Sequence, residues 1–363
     1  MSIWYRPEER AMYALRQLYR SHGYLPFRMS KFEEYDLYAG NKDFLVSSGV
    51  ITFNDHMGRL LALKPDVTLS IVKNYTYLPG QSEKVCYSER VYRPSGSTGE
   101  YKEIPQTGLE CLGDPDPIQQ TEVVLLAARS MALLGGDSVL ELSHMGILSA
   151  ILEESGAEQS LRYRLNEYLS AKNEHDLRAA CEEAGIDPKP LIALCSLYGS
   201  PDKVLPVLGT LSDRADYLAA VGELEALCRA LSEATPHTRV LLDFSIAQDM
   251  RYYSGIVFRG YLAGIPERVL SGGRYDPLLR RMGKQGGAVG FAVYLDLLEQ
   301  TAQEEQTDAD LLLLYEEGTD PALVLRRAEE LSVTAPRVMI QKQIPERLRF
   351  GQIVRVNKEG ELT

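Results

Sequence analysis

Two acids, Asp66 and Glu110, and the tyrosines of RYYSGIVFRGY and SGGRYD are the residues best suited to line a slot for a small molecule. An acid on a strand as apolar as TGLECL is costly to bury without a partner, so Glu110 belongs either in a binding pocket or at an exposed edge. Gln106 lies four residues earlier on the same strand, on the same face and about 13 Å away. Asp66-Val67-Thr68 puts a carboxylate and a hydroxyl at a helix start, where they serve either as ligands or as caps. Arg93 has two possible employments: a bound phosphate, or an ion pair with Glu89 or Glu103. If RYYSGIVFRGY is one strand, Tyr252 and Tyr253 point to opposite faces and only one looks into a given pocket. Opposite them Gly272 and Gly273 leave the returning strand bare, followed by Tyr275. A ring wall facing a glycine floor suits a small-molecule slot, yet a twisted hairpin with glycines at a bulge accounts for the same pattern. The pattern alone leaves both open.

The elements that must carry these residues are legible in outline. Apolar residues at helical spacing (Met12, Leu15, Leu18, Tyr19) between Pro7 and Gly23 predict an amphipathic helix. GYLPFRMSKFEEYDLY reads as an extended segment and loop, and ITFNDHMGRLLALKP as a hairpin turning at His56–Arg59. KVCYSERVYRP and YKEIPQTGLECLG are strands around a loop of small residues, and Asp116-Pro117 opens a long helix. From about residue 153 to 238 helical periodicity dominates and no strand is evident. Sheet resumes at VLLDFSIAQ; Gly264-Ile265-Pro266 turns the next pair, and Asp276-Pro277 supplies an N-cap and first helical residue. From Asp308 a strand, a helix and two strands close the chain. The expected organisation is a core of residues 1–152 and 239–303, a helical insertion over 153–238, and a small α/β unit over 304–363.

A chain of 363 residues, 45% hydrophobic and 25% charged, has the profile of a globular protein with more than one core. No apolar run reaches the roughly 18 residues of a membrane span, and the first residues lack a signal-peptide pattern, so a cytoplasmic protein without membrane contact is expected. The net charge of −12, from 51 acids and 39 bases, weighs against a polyanionic partner. Five cysteines (Cys86, Cys111, Cys181, Cys195, Cys228) are widely spaced without a CxxC pair and read as reduced core residues. His144 reads as a structural histidine. No P-loop, HExxH or GxSxG motif occurs.

Taken together, KPDVT, YSERVYRP with YKEIPQTGLE, then RYYSGIVF, GGRYD and AVGFAVYLD resemble the catalytic core of histidyl-tRNA synthetase, a class II synthetase, over residues 7–298. The resemblance implies an α+β fold, an antiparallel sheet flanked by helices, and a dimer. It implies a histidine pocket made by Asp66, Thr68, Arg93, Gln106, Glu110, Tyr252, Tyr253 and Tyr275. It also shows losses. The arginine before the tyrosine signature is Gln248, the ATP-gripping arginine of the third motif is Leu297, Arg251 replaces a usual Asp, and Ser30 replaces the first motif's proline. Adenylate chemistry needs fixed positive charge where negative charge develops, which an amide and a leucine do not supply. The tail is also shorter than an anticodon-binding domain, with one modest basic patch, RVMIQKQIPERLR. These departures are similar to those of a paralogous family, the regulatory subunits of ATP phosphoribosyltransferase. That resemblance implies a non-catalytic protein with no cofactor and no tRNA, with L-histidine as ligand, and a hetero-octamer with short-form catalytic subunits. An active synthetase with a trimmed tail and a scaffold with a vestigial pocket are the alternatives.

Overall fold

The computed structural model describes residues 6–45, 49–94, 99–235, 238–246, 252–301 and 307–363. The chain divides into two compact units, residues 1–301 and 302–363.

A nine-stranded sheet forms the centre of the first unit. Its strands run in the spatial order Leu25–Pro26, Ser82–Pro94, Tyr101–Gly113, Gly287–Tyr294, Leu270–Arg274, Ile256–Leu262, Ser138–His144, Arg239–Asp243 and Tyr198–Gly199. Neighbours are antiparallel except at two places, where Leu25–Pro26 joins Ser82–Pro94 and where Ser138–His144 joins Arg239–Asp243. The sheet is thus mixed but mostly antiparallel, as a class II synthetase-like α+β fold requires. The two-residue strand Tyr198–Gly199 lies inside the segment expected to be purely helical. It is too short for a sequence period to reveal.

Helices cover the sheet because each has one apolar face to bury. Pro7–Ser21 begins with Pro7 and a reciprocal bond pattern between Arg6 and Glu9, and buries Leu15 and Tyr19. The Tyr19 hydroxyl meets Ser130 Oγ at 3.0 Å on the long helix Pro117–Leu134. That helix is capped by Asp116, whose carboxylate accepts from the Gln119 N–H at 2.8 Å. Five further helices between Gln159 and Ala234 pack their leucines into the same core. His144 is buried, accepts from the Gly146 N–H through Nδ1 and meets Glu223 through Nε2, so it holds a helix start as a structural histidine does. The five cysteines are buried free thiols.

Three expectations need correction. Part of the segment read as loop, Tyr35–Ala39, is a short helix. The strand of the signature hairpin starts only at Ile256, so Tyr252 and Tyr253 lie in the approach to it and strand alternation does not govern them. Asp276 is the first helical residue and not a cap: its carboxylate takes the Arg274 Nε and the Ala288 N–H instead.

In the second unit three parallel strands, Val338–Gln341, Ala309–Tyr315 and Phe350–Val356 in that order, pack against helix Pro321–Ser332. Leu311, Leu313, Val324, Val354 and Val356 form its core. Arg337, from the basic patch, forks onto Asp310 at 2.8 Å, so that charge is already neutralised.

Candidate functional site

The eight residues singled out from the sequence line one cavity of about 220 Å³ in the first unit. They come from four stretches far apart in the chain. Asp66 and Thr68 stand at the start of helix Thr68–Asn74; Arg93 and the pair Gln106 and Glu110 come from adjacent strands; Tyr252, Tyr253 and Tyr275 flank the signature hairpin.

Glu110 is the chemical centre. It is 2% exposed, its Oε1 accepts from Thr68 Oγ1 at 3.0 Å, and its Oε2 accepts from the Tyr275 hydroxyl at 2.6 Å. Burial pushes its carboxyl up to about 8; the two hydroxyl bonds oppose that rise and the nearby Asp66 adds to it. Asp66 is also raised by burial, and is drawn back by the Leu69 N–H, which it accepts at 2.8 Å, and by Arg93. Asp66 therefore does cap the helix turn and still faces the cavity with Thr68.

Both adjacent tyrosines reach the cavity wall, contrary to the strand-based expectation. Their rings meet edge to face at 4.6 Å, and Tyr252 lies 5.9 Å from Tyr275. Gly273 makes this possible: a Cβ there would come 2.7 Å from the Tyr253 ring. The glycine floor is thus a bed for a tyrosine.

Arg93 is 8% exposed, and neither expected partner takes it. Glu89 is engaged by the fully buried Lys64, and Glu103 by Arg90 at 3.0 Å. Its guanidinium instead lies over the Tyr294 ring at 5.3 Å. It makes no ion pair with any described carboxylate.

Sequence reasoning missed several wall residues, among them Gly290, Ser271, Tyr294, Arg259 and Arg268. Gly290 is the most telling, because a Cβ there would sit 1.6 Å from Glu110 Oε2. It is paired with Glu110 across the sheet, and only that register identifies it. Tyr294 shares a 2.7 Å bond between hydroxyls with Ser271.

A family model described as histidyl-tRNA synthetase matches residues 5–298. The ATP phosphoribosyltransferase regulatory subunit of Desulfitobacterium hafniense (strain DSM 10664 / DCB-2) is 32% identical over 292 residues, 78% of this chain and 75% of that protein. The chain belongs to the histidyl-tRNA synthetase-like family of ATP phosphoribosyltransferase regulatory subunits. Among solved structures, an ATP phosphoribosyltransferase regulatory subunit/histidyl-tRNA synthetase from Bacillus halodurans superposes with a TM-score of 0.79 at 22% identity, covering 98% of this chain and 96% of that one. The ATP phosphoribosyl transferase (HisG:HisZ) complex from Thermotoga maritima gives 0.64 at 21% identity, covering 79% and 97%. At such identities these structures speak to the fold.

Beside the cavity this family member has a second, larger cleft of about 1120 Å³, which shares Arg93, Gln106, Arg268 and Tyr294 with it. Leu297 and Asp296 stand in its lining. The lining carries six carboxylates against five basic side chains, so it offers no net positive charge to a polyanion. Asp296 Oδ1 is buried without a partner, and burial raises that carboxyl. Leu297 is buried in the short turn Asp296–Thr301, which packs against helix Pro7–Ser21. Gln248 and Arg251 lie outside the described residues.

Proposed function

We propose that this chain is the non-catalytic regulatory subunit of an ATP phosphoribosyltransferase, required by a short-form catalytic subunit and involved in its feedback inhibition by histidine. One contrast carries the reading. The cavity around Glu110 is furnished for an amino acid, while the adjoining cleft sets six carboxylates against its five basic side chains and so offers a triphosphate no net positive charge. Asp66 and Thr68 take the ligand's ammonium, Glu110 and a tyrosine its ring, and the uncommitted guanidinium of Arg93 its carboxylate, a charge-assisted pairing. Gln106, Tyr252, Tyr253 and Tyr275 complete the wall. Gln248 and Leu297, in place of two synthetase arginines, leave adenylate formation unsupported, and no cofactor is required.

Binding without turnover is what a sensor needs. A ligand that binds one assembly state more tightly than another shifts the balance between them, and the partner enzyme reads the shift. The partner is a short-form catalytic subunit, in a hetero-octamer built on a dimer of this chain. The experiment is calorimetric titration of histidine into the purified protein and into Asp66→Ala and Glu110→Ala. The parent is expected to bind with one site per chain, and each variant at least tenfold more weakly; equal binding by the variants would remove the cavity from the assignment. Histidine-dependent ATP–pyrophosphate exchange is expected to be absent, and its presence would restore the synthetase reading.

A further inference from the structure

The acid at the heart of the cavity is hydrogen-bonded to no cation. Both Glu110 oxygens accept from neutral hydroxyls, those of Thr68 and Tyr275. The ionisable groups facing it are Asp66 at the helix start, Tyr87 on the neighbouring strand, Tyr24 beyond it, and Tyr252, Tyr253 and Tyr275 around the hairpin. None brings a positive charge; the three arginines of the cavity wall bear on other groups, Arg93 on Asp66 and Arg259 and Arg268 on Tyr253. On the fourth side Gly290 presents bare backbone. A carboxylate enclosed this way is penalised by lost hydration, whereas a carboxylic acid is not. Burial holds the Glu110 carboxyl protonated up to about pH 8.

An incoming histidine has a neutral ring at that pH, since free imidazole titrates near about 6.5. Resting on the assignment of this cavity to histidine, we propose that the site holds its ligand as an imidazolium, the proton passing from the Glu110 carboxyl to a ring nitrogen of the bound amino acid. The O–H bond of the acid breaks and an N–H bond forms with the ring's lone pair. A neutral acid and a neutral base become a carboxylate and a cation, and solvent neither supplies nor receives a proton near pH 7.5. The product pair suits its surroundings: the carboxylate keeps both hydroxyl donors, and the tyrosine faces around the cavity favour a cation. The ligand thereby brings Glu110 the counter-charge that neither of its hydrogen-bond partners supplies, which makes ring basicity the property selected.

The test uses the intact protein with histidine labelled with nitrogen-15 in the ring, observed by NMR at pH 7.5, and calorimetry in two buffers of different ionisation heat. Both bound nitrogens are expected at imidazolium shifts, with no net proton exchanged with buffer. In Glu110→Gln the bound ring is expected to be neutral, and the affinity lower by about tenfold or more. A bound neutral ring in the parent would overturn the proton transfer while leaving histidine occupancy intact. A cationic ring retained in Glu110→Gln would likewise overturn it, because the proton would have another source. Absence of saturable binding by the parent would overturn the occupancy assignment and the transfer with it. The parent's spectrum decides the matter even if the variant does not fold.

Discussion

Glu110 is a carboxyl placed where its charge is penalised, and Gly290 is the residue that makes the placement possible. Gly290→Ala would drive a methyl into the Glu110 carboxylate. The expected result is loss of histidine binding by calorimetry, together with a stability loss of about 1–3 kcal/mol by chemical denaturation, the usual cost of overpacking a core. The pH dependence follows from linkage. The carboxyl is raised from 4.5 to about 8 in the native protein, so the folded chain binds a proton that the unfolded chain has released. Stability therefore falls as pH rises between those values, and levels off above about 8. Glu110→Gln is expected to flatten that part of the profile, measured as melting temperature from pH 5 to 9 without ligand; an unchanged slope would assign the titration to other groups. The importance of Glu110 was legible from its sequence, since an acid on an apolar strand demands a reason. Gly290 was not, because its role depends on a partner 180 residues away across the sheet.

Among the elements, those with strong local signals formed where they were expected. Pro7 and Asp116-Pro117 open helices because proline fits a first helical position and aspartate satisfies an exposed N–H. Asp116→Ala is expected to cost about 1 kcal/mol in urea denaturation, through loss of the bond its carboxylate accepts from the Gln119 N–H, with the cavity unaffected. The signature hairpin shows the limit of periodicity. Its residues alternate as a strand does from Tyr252 onward, yet pairing starts at Ile256, because Gly273 opens a space that the Tyr253 ring fills. Ring packing overrode the local pattern, and so both tyrosines reach one cavity. The helix Tyr35–Ala39 and the strand Tyr198–Gly199 are too short to leave a period in sequence.

At the scale of the whole molecule, every residue lining the cavity belongs to the first unit. A chain ending at Thr301 is therefore expected to bind histidine within about twofold of the parent by calorimetry, since distant and unconnected changes act independently. A loss of binding with the fold retained would show that the tail supports the site. The sequence by itself determined the class of fold, the run of strong helices and strands, and the identity of eight wall residues, because these follow from local periodicity, capping and motif resemblance. Only the tertiary structure decided which bonds those residues make: that Thr68 and Tyr275 converge on Glu110, that Glu89 goes to Lys64 and Glu103 to Arg90, and that a neighbouring cleft carries more acid than base. The physical reason is that partner choice and burial are set by the register of strands distant in the chain, and the ionisation of a buried acid depends on everything that surrounds it.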